Sequence, residues 1–211
     1  MTPEQIAADR ERMIVDHLAA RGITSRQVLR AMARVPRERF VPPDLSGDAY
    51  ADSALPIGCD QTISQPLIVA MMTQALELTG NETVLEVGTG SGYQAAVLAE
   101  LAARVVSIER HEALSRSAGN VLQALGYDNV RLVVGDGTLG WPPDAPYNRI
   151  LVAAAAHRVP EPLIEQLAEG GMMVIPVGSQ HSQVLQVIRK KDGQLSQTPL
   201  GGCRFVPLVG A

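Results

Sequence analysis

Residues Val84-Leu85-Glu86-Val87-Gly88-Thr89-Gly90-Ser91-Gly92 set a short apolar run directly before three glycines at alternate positions. Glycine has no Cβ, so a chain built this way turns sharply out of a strand and lets a ligand approach its backbone. The apolar stretch at 93–101 then reads as a helix whose first N–H groups have no intrahelical acceptor. The spacing also separates cofactors. A dinucleotide fingerprint places its third glycine three residues after the second, where a pyrophosphate must fit. Here Tyr93 stands at that position. A tyrosine crowds a diphosphate, which argues against a nicotinamide-dependent oxidoreductase. It suits a nucleoside whose 5′ substituent is an amino acid, and S-adenosylmethionine is such a ligand.

Further polar groups fall at neighbouring strand ends. In an open parallel sheet, ligands bind beyond the carboxyl ends of the strands. The strand expected at 104–108 ends in Glu109, whose carboxylate can accept from both hydroxyls of a ribose. The strand expected at 130–134 runs into Gly135-Asp136-Gly137. Alone this is an ordinary Asp-Gly turn; beside the other two strand ends it reads as an acceptor for an adenine amino group. Glu86 can accept from the ligand's ammonium or polarise the N–H groups of the glycine loop. The cofactor-binding set is therefore Glu86, Gly88, Thr89, Gly90, Ser91, Gly92, Glu109, Asp136 and Gly137.

Ser64-Gln65-Pro66 is a helix start signal with Ser64 as its cap. A helix N-terminus also attracts carboxylates, and the loop at 56–63 leads to this spot. Ser64 is expected to serve both the helix and an incoming carboxylate. Other reactive residues form no constellation. Cys59 has no histidine in a motif with it. His17 falls on an apolar helical face, and His111, His157 and His181 lack ligand spacing.

Composition agrees with an ordinary soluble globular protein. The chain has 211 residues, 46% of them hydrophobic and 19% charged, enough for one large core. A net charge of −4 with no basic run disfavours nucleic acid as substrate. Two cysteines suit a reducing cytoplasm better than a disulfide scaffold. No apolar stretch approaches a membrane span.

These groups need elements to hold them. A first helix is expected from Thr2-Pro3 to Gly22, a second from Ser25, and a third from Ser64-Gln65-Pro66 to about Leu78. A long loop with a possible short strand fills 44–63. Strands at 83–87, 104–108, 130–134, 149–153 and 171–177 alternate with helices near 92–101, 112–125 and 160–168. That alternation predicts an α/β fold, a mostly parallel twisted sheet with helices on both faces. A hairpin over 183–189 and 194–199 and a last strand at 204–209 complete it. The expected organisation is one domain: an N-terminal helical cap and substrate loop at 1–80, a cofactor-binding core at 81–180, and a C-terminal hairpin and strand at 181–211.

Taken together, these segments resemble the protein-L-isoaspartate O-methyltransferase family over nearly the whole chain. The marks are Arg34-Val35-Pro36-Arg37-Glu38-Arg39-Phe40-Val41-Pro42, Tyr50-Ala51-Asp52, Leu55-Pro56-Ile57-Gly58, Gln61-Thr62-Ile63-Ser64-Gln65-Pro66, the glycine loop, Gly135-Asp136-Gly137, and Gly170-Gly171 leading to Pro176-Val177-Gly178. The resemblance implies a Rossmann-like methyltransferase fold and methylation of the α-carboxylate of L-isoaspartyl residues in damaged proteins. It implies Ser64 as the functional serine, Thr62 as a neighbouring substrate hydroxyl, and Val206 in a Val-Pro-Leu segment that holds the substrate backbone. A cytoplasmic monomer with no nucleic-acid or membrane partner is the expected form. A peptide-tailoring aspartate methyltransferase of the same family is the alternative. One departure stands out: Asn148 replaces the family's usual Asp, which is expected to alter the cofactor side of the fourth parallel strand.

Overall fold

In a computed structural model, which describes residues 2–210, Thr2 caps the first helix, α1 (Pro3–Arg12). Its hydroxyl accepts from the Gln5 N–H, and the Gln5 side chain accepts from the Thr2 N–H at 2.8 Å. This reciprocal pairing satisfies two donors that a helix start leaves open. The helix expected to run on to Gly22 does so with changing pitch. It widens to a π-helix over Met13–Leu18, tightens to a 3₁₀ turn over Ala19–Arg21, and stops at Gly22. Ser25 caps α2 (Arg26–Arg34). The long loop holds a 3₁₀ turn (Pro43–Asp48), then a hairpin of β1 (Leu55–Gly58) and β2 (Gln61–Ile63).

Ser64 does not cap α3 (Pro66–Ala75). Gln65 occupies that position, with Pro66 as the first helical residue. The proline accounts for the shift: its fixed φ suits the first turn and restricts the residue before it to extended geometry. Ser64 is thus left in the approach to the helix, free of the capping bond expected of it.

The α/β part follows in alternation: β3 (Thr83–Val87), α4 (Tyr93–Ala99), β4 (Arg104–Glu109), α5 (Glu112–Ala124), β5 (Val130–Val134), β6 (Tyr147–Val152), α6 (Glu161–Glu165) and β7 (Leu167–Gly178). β8 (Gln183–Lys191) and β9 (Gln194–Cys203) form the hairpin. The seven-stranded sheet has the order β5-β4-β3-β6-β7-β8-β9. Pairing is parallel from β5 to β7 and antiparallel beyond. Strand order reverses between β3 and β6, the switch point where such sheets bind ligands.

Successive side chains of a strand point to opposite faces, and both faces here are covered. Leu85, Val87, Val106, Ile108, Ile150 and Val152 pack with Leu163 of α6. Val84, Val105, Leu151 and Val174 pack with Met72 and Leu76 from the α3 region and Leu98 of α4. A third cluster joins Met13, Leu18, Met32 and Phe40 to Tyr93 and Val97 of α4, seating the N-terminal helices on the α/β part. Burying each aliphatic side chain of this size contributes roughly 1.5–3 kcal/mol.

Two expected elements change form. The helix expected at 160–168 is cut to five residues because β7 begins at Leu167, paired with Tyr147, and the Gln166 carbonyl accepts from the Tyr147 N–H. The expected strand at 204–209 is an extended segment with a single bridge, between Pro207 and Ala155. Ala155 donates to the Val206 carbonyl and accepts from the Leu208 N–H, both at 2.8 Å. Pro207 has no N–H to extend the ladder.

Candidate active site

The glycine loop leaves β3 at the switch point. Gly88, Gly90 and Gly92 all have positive φ, at 96°, 53° and 88°. Gly92 is the N-cap of α4, and a Cβ there would come within 3.0 Å of the Ala118 Cβ on α5. Any larger residue must therefore adopt an unfavourable φ and also push α5 away. Gly137 is fixed by packing instead. An added Cβ would collide with a Val87 side-chain carbon at 2.4 Å.

Around this loop lies a crevice of about 1150 Å³, counting the part open to solvent. Four chain segments line it. The glycine loop gives Gly88, Thr89, Gly90 and Ser91; the end of β4 gives Ile108 and Glu109; the hairpin and its exit give Asp60, Gln61, Thr62, Ile63 and Ser64; the C-terminal segment gives Val206, Pro207 and Val209. Gly137, Tyr93, Gln94, Ala153 and Ala154 close its walls.

Glu109 is 5% exposed. One carboxylate oxygen accepts from the Gly90 N–H and the other from the His111 N–H, both at 2.9 Å. A carboxylate offers about four lone-pair sites, so two remain for ligand hydroxyls. This donor–acceptor pattern, beside a loop of small residues and the alanines at 153 and 154, fits a nucleoside.

Three expected cofactor residues are not among those that line the crevice. Glu86 is fully buried and does not line the crevice. Strand alternation turns it to the face of Val84, toward α3 and α4. There it accepts from the Ser107 hydroxyl, which in turn lies 2.5 Å from the Thr89 hydroxyl. Glu86 thus reaches the loop only through two side chains, and the direct contact with a ligand ammonium is not made from this position. Its other oxygen has no protein partner among the described residues. Burial pushes its carboxyl up to about 8, with the Ser107 bond opposing and the nearby Glu109 charge adding to the rise. Asp136 uses one carboxylate oxygen, Oδ1, to accept from the N–H and hydroxyl of Thr138, at 2.8 and 2.7 Å. Its neighbour Gly137 lines the crevice. Gly92 shapes α4 and does not line the crevice.

The segment carrying Thr62 and Ser64 is braced from behind. Gln65 donates to the carbonyl and the carboxylate of Asp52, at 3.1 and 2.8 Å. Arg37 is wholly buried and donates to the Ser64 carbonyl at 2.8 Å and to the Ala49 carbonyl at 2.6 Å. Sequence reasoning singled out neither brace, nor Gln94, whose amide donates to Thr73 at 2.9 Å behind the crevice wall. The only prior sign was that Arg37 and Asp52 lie in the two motifs that precede the hairpin.

Asn148 sits at the start of β6, at the opposite end of the strand from the crevice. Its side-chain oxygen accepts from the Thr83 N–H at 2.9 Å. The expected effect on the cofactor side is therefore corrected, since either an amide or a carboxylate oxygen can accept that bond. Asn148→Asp is expected to leave donor affinity unchanged and to shift stability by less than about 0.5 kcal/mol. Calorimetric titration and thermal unfolding check this; a tenfold change in affinity would restore the link to the cofactor.

Among the described residues no group of three or more His, Cys, Asp or Glu side chains is placed to hold a metal. Nor, among these residues, is any helix long and apolar enough to cross a membrane.

The sheet order, the glycine loop at the switch point and the buried acid at the end of β4 define a Rossmann-like, S-adenosylmethionine-dependent methyltransferase. A family model described as protein-L-isoaspartate(D-aspartate) O-methyltransferase matches residues 9–211. The chain belongs to that family. It is 55% identical to protein-L-isoaspartate O-methyltransferase 1 of Syntrophobacter fumaroxidans, over 95% of this chain and 94% of the relative. It is 50% identical to the protein-L-isoaspartate O-methyltransferase of Methanoculleus marisnigri, over 100% and 96%. A solved protein-L-isoaspartate O-methyltransferase superimposes with a TM-score of 0.84 at 31% identity, covering 95% of this chain and 66% of the other. A Plasmodium falciparum structure, titled a putative enzyme of this type in complex with S-adenosyl-L-homocysteine, gives 0.79 at 25% identity, over 93% and 96%.

Proposed function

We propose that this chain methylates the α-carboxylate of L-isoaspartyl residues in damaged proteins and peptides, with Ser64 orienting that carboxylate and Glu109 holding the ribose of the donor. One observation carries the reading: the Thr62–Ser64 segment and the Glu109-braced glycine loop open into the same crevice. S-adenosylmethionine supplies an electrophilic methyl group, which the acceptor oxygen takes as the carbon–sulfur bond breaks and the sulfur keeps the electron pair.

The residues present suit a reaction that needs no proton transfer. A carboxylate is ionised at neutral pH (reference pKa about 4) and is already nucleophilic. The work left to the protein is placement of two reactants in line, worth roughly 7–11 kcal/mol in favourable cases. Ser64 donates one hydrogen bond to the acceptor carboxylate and Thr62 lies beside it, while the segment at Val206 borders the peptide.

The proposal takes the chain as a cytoplasmic monomer whose partners are proteins rather than nucleic acid, in keeping with its charge of −4. A peptide-tailoring enzyme that methylates ordinary aspartate would use the same crevice, but the relatives above favour isoaspartate. Radiolabelled S-adenosylmethionine with paired Asp and isoAsp peptides decides between them. Label is expected in the isoAsp peptide alone; equal labelling of the Asp peptide would overturn the repair reading. Ser64→Ala should lower turnover about tenfold or more, the scale of one charge-assisted hydrogen bond of roughly 1.5–3 kcal/mol, with donor affinity kept. Unchanged turnover would retire the role of Ser64.

A further inference from the structure

Arg37 is among the largest fully buried side chains of the described residues. It lies on the 3₁₀ turn Arg37–Phe40, outside the crevice. No carboxylate lies within salt-bridge distance of it among the described residues, and its second terminal nitrogen has no protein partner. Burial acts against its charge. Removing an ion from water without an opposite charge is among the most expensive arrangements in a protein interior, and a packed apolar side chain would avoid it.

What the guanidinium does contact is specific. It donates to the carbonyl of Ser64, on the acceptor side of the crevice. Its Nε donates to the Ala49 carbonyl. Its Cζ lies over the ring of Tyr93, 4.7 Å from the ring centroid; Tyr93 is the first residue of α4 after the glycine loop, on the donor side. One rigid fork therefore touches both halves of the site. Lysine carries the same charge but lacks the planar fork that holds two acceptors and an aromatic face together.

We propose that Arg37 is a positioning residue for methyl transfer, fixing the peptide unit of Ser64 against Tyr93 so that the serine hydroxyl meets the acceptor carboxylate at a set distance from the donor loop. The proposal rests on the reading of Ser64 given above. Its test is a cycle of Ser64→Ala, Arg37→Lys and the double variant, read as kcat at saturating donor and isoaspartyl peptide, with the S-adenosylmethionine Kd measured by calorimetry. Arg37→Lys is expected to lose tenfold or more in kcat with its donor Kd within about threefold of the parent. In the double variant the loss should not exceed that of Ser64→Ala by more than about twofold, because both changes remove the same placement. Arg37→Gln serves as a second probe should the lysine variant not fold.

Losses that multiply in the double variant would overturn the proposal, as would kcat within twofold of the parent or a donor Kd that weakens in step with kcat. Failure of both Arg37 variants to unfold cooperatively would likewise overturn it and leave Arg37 a stabilising residue. If Ser64→Ala alone is neutral, the Ser64 reading fails and this proposal with it. If Ser64→Ala is slow while Arg37→Lys is not, only the positioning role falls.

Discussion

Glu109→Ala is expected to weaken S-adenosylmethionine binding by about a hundredfold or more. The carboxylate holds the Gly90 N–H and the His111 N–H, each at 2.9 Å, in a site that is 5% exposed. Alanine removes both acceptors from the backbone and both remaining lone-pair sites from the ligand. Two hydrogen bonds to a charged group are together worth about 3 kcal/mol or more, and each 1.4 kcal/mol is a factor of about ten in Kd. The loop loses its shape as well, since the Gly90 N–H is left without this partner. Glu109→Gln should fall between the two, because it keeps one acceptor and the volume. Calorimetric titration of all three proteins, each checked for cooperative unfolding, decides the matter. A Kd for the alanine variant within threefold of the parent would remove Glu109 from the ribose site.

The second large effect concerns Glu86 and appears as a dependence of stability on pH. Its carboxyl is pushed up to about 8 from an ordinary value of 4.5, chiefly by burial. Below pH 4.5 both the folded and the unfolded chain carry the proton, and the group contributes nothing to the difference. Between 4.5 and 8 the unfolded chain has released the proton while the folded chain retains it, so stability falls as pH rises. Above 8 the loss is complete. At about 1.36 kcal/mol per pKa unit it amounts to at most about 5 kcal/mol, and relaxation around the charge reduces it. Glu86→Gln removes the titration while keeping an acceptor for the Ser107 hydroxyl. Its melting temperature should match the parent near pH 4.5 and exceed it increasingly toward pH 9, by on the order of 5 °C. Parallel melting curves across that range would show that the carboxyl ionises freely where it stands. Because Glu86 lies beneath the loop, the same variant should bind the donor nearly as the parent does.

Much of this protein is legible in the order of its residues. Short apolar strands cannot bury both faces without helices on each side, so the alternation after Glu82 determined the parallel sheet. Strand boundaries at 83–87 and 130–134 matched those expected, because each short apolar run stops at a glycine. The glycine loop, Glu109 and Gly137 were found for the same reason. Each lies within a few residues of a strand end, and strand ends of one parallel sheet necessarily converge.

Other features depended on contacts between segments distant in sequence. That Glu86 turns under the loop follows from which face of β3 meets α3 and α4. The brace of Ser64 by Arg37 joins residues 27 positions apart, and the tail is held by Ala155 across half a hundred residues. Local periodicity carries no record of such distances. The chain order thus determined the sheet and the place where a ligand meets it. Tertiary packing alone decided which of the acids there line the crevice and which lie beneath it, because that depends on what covers each face of a strand.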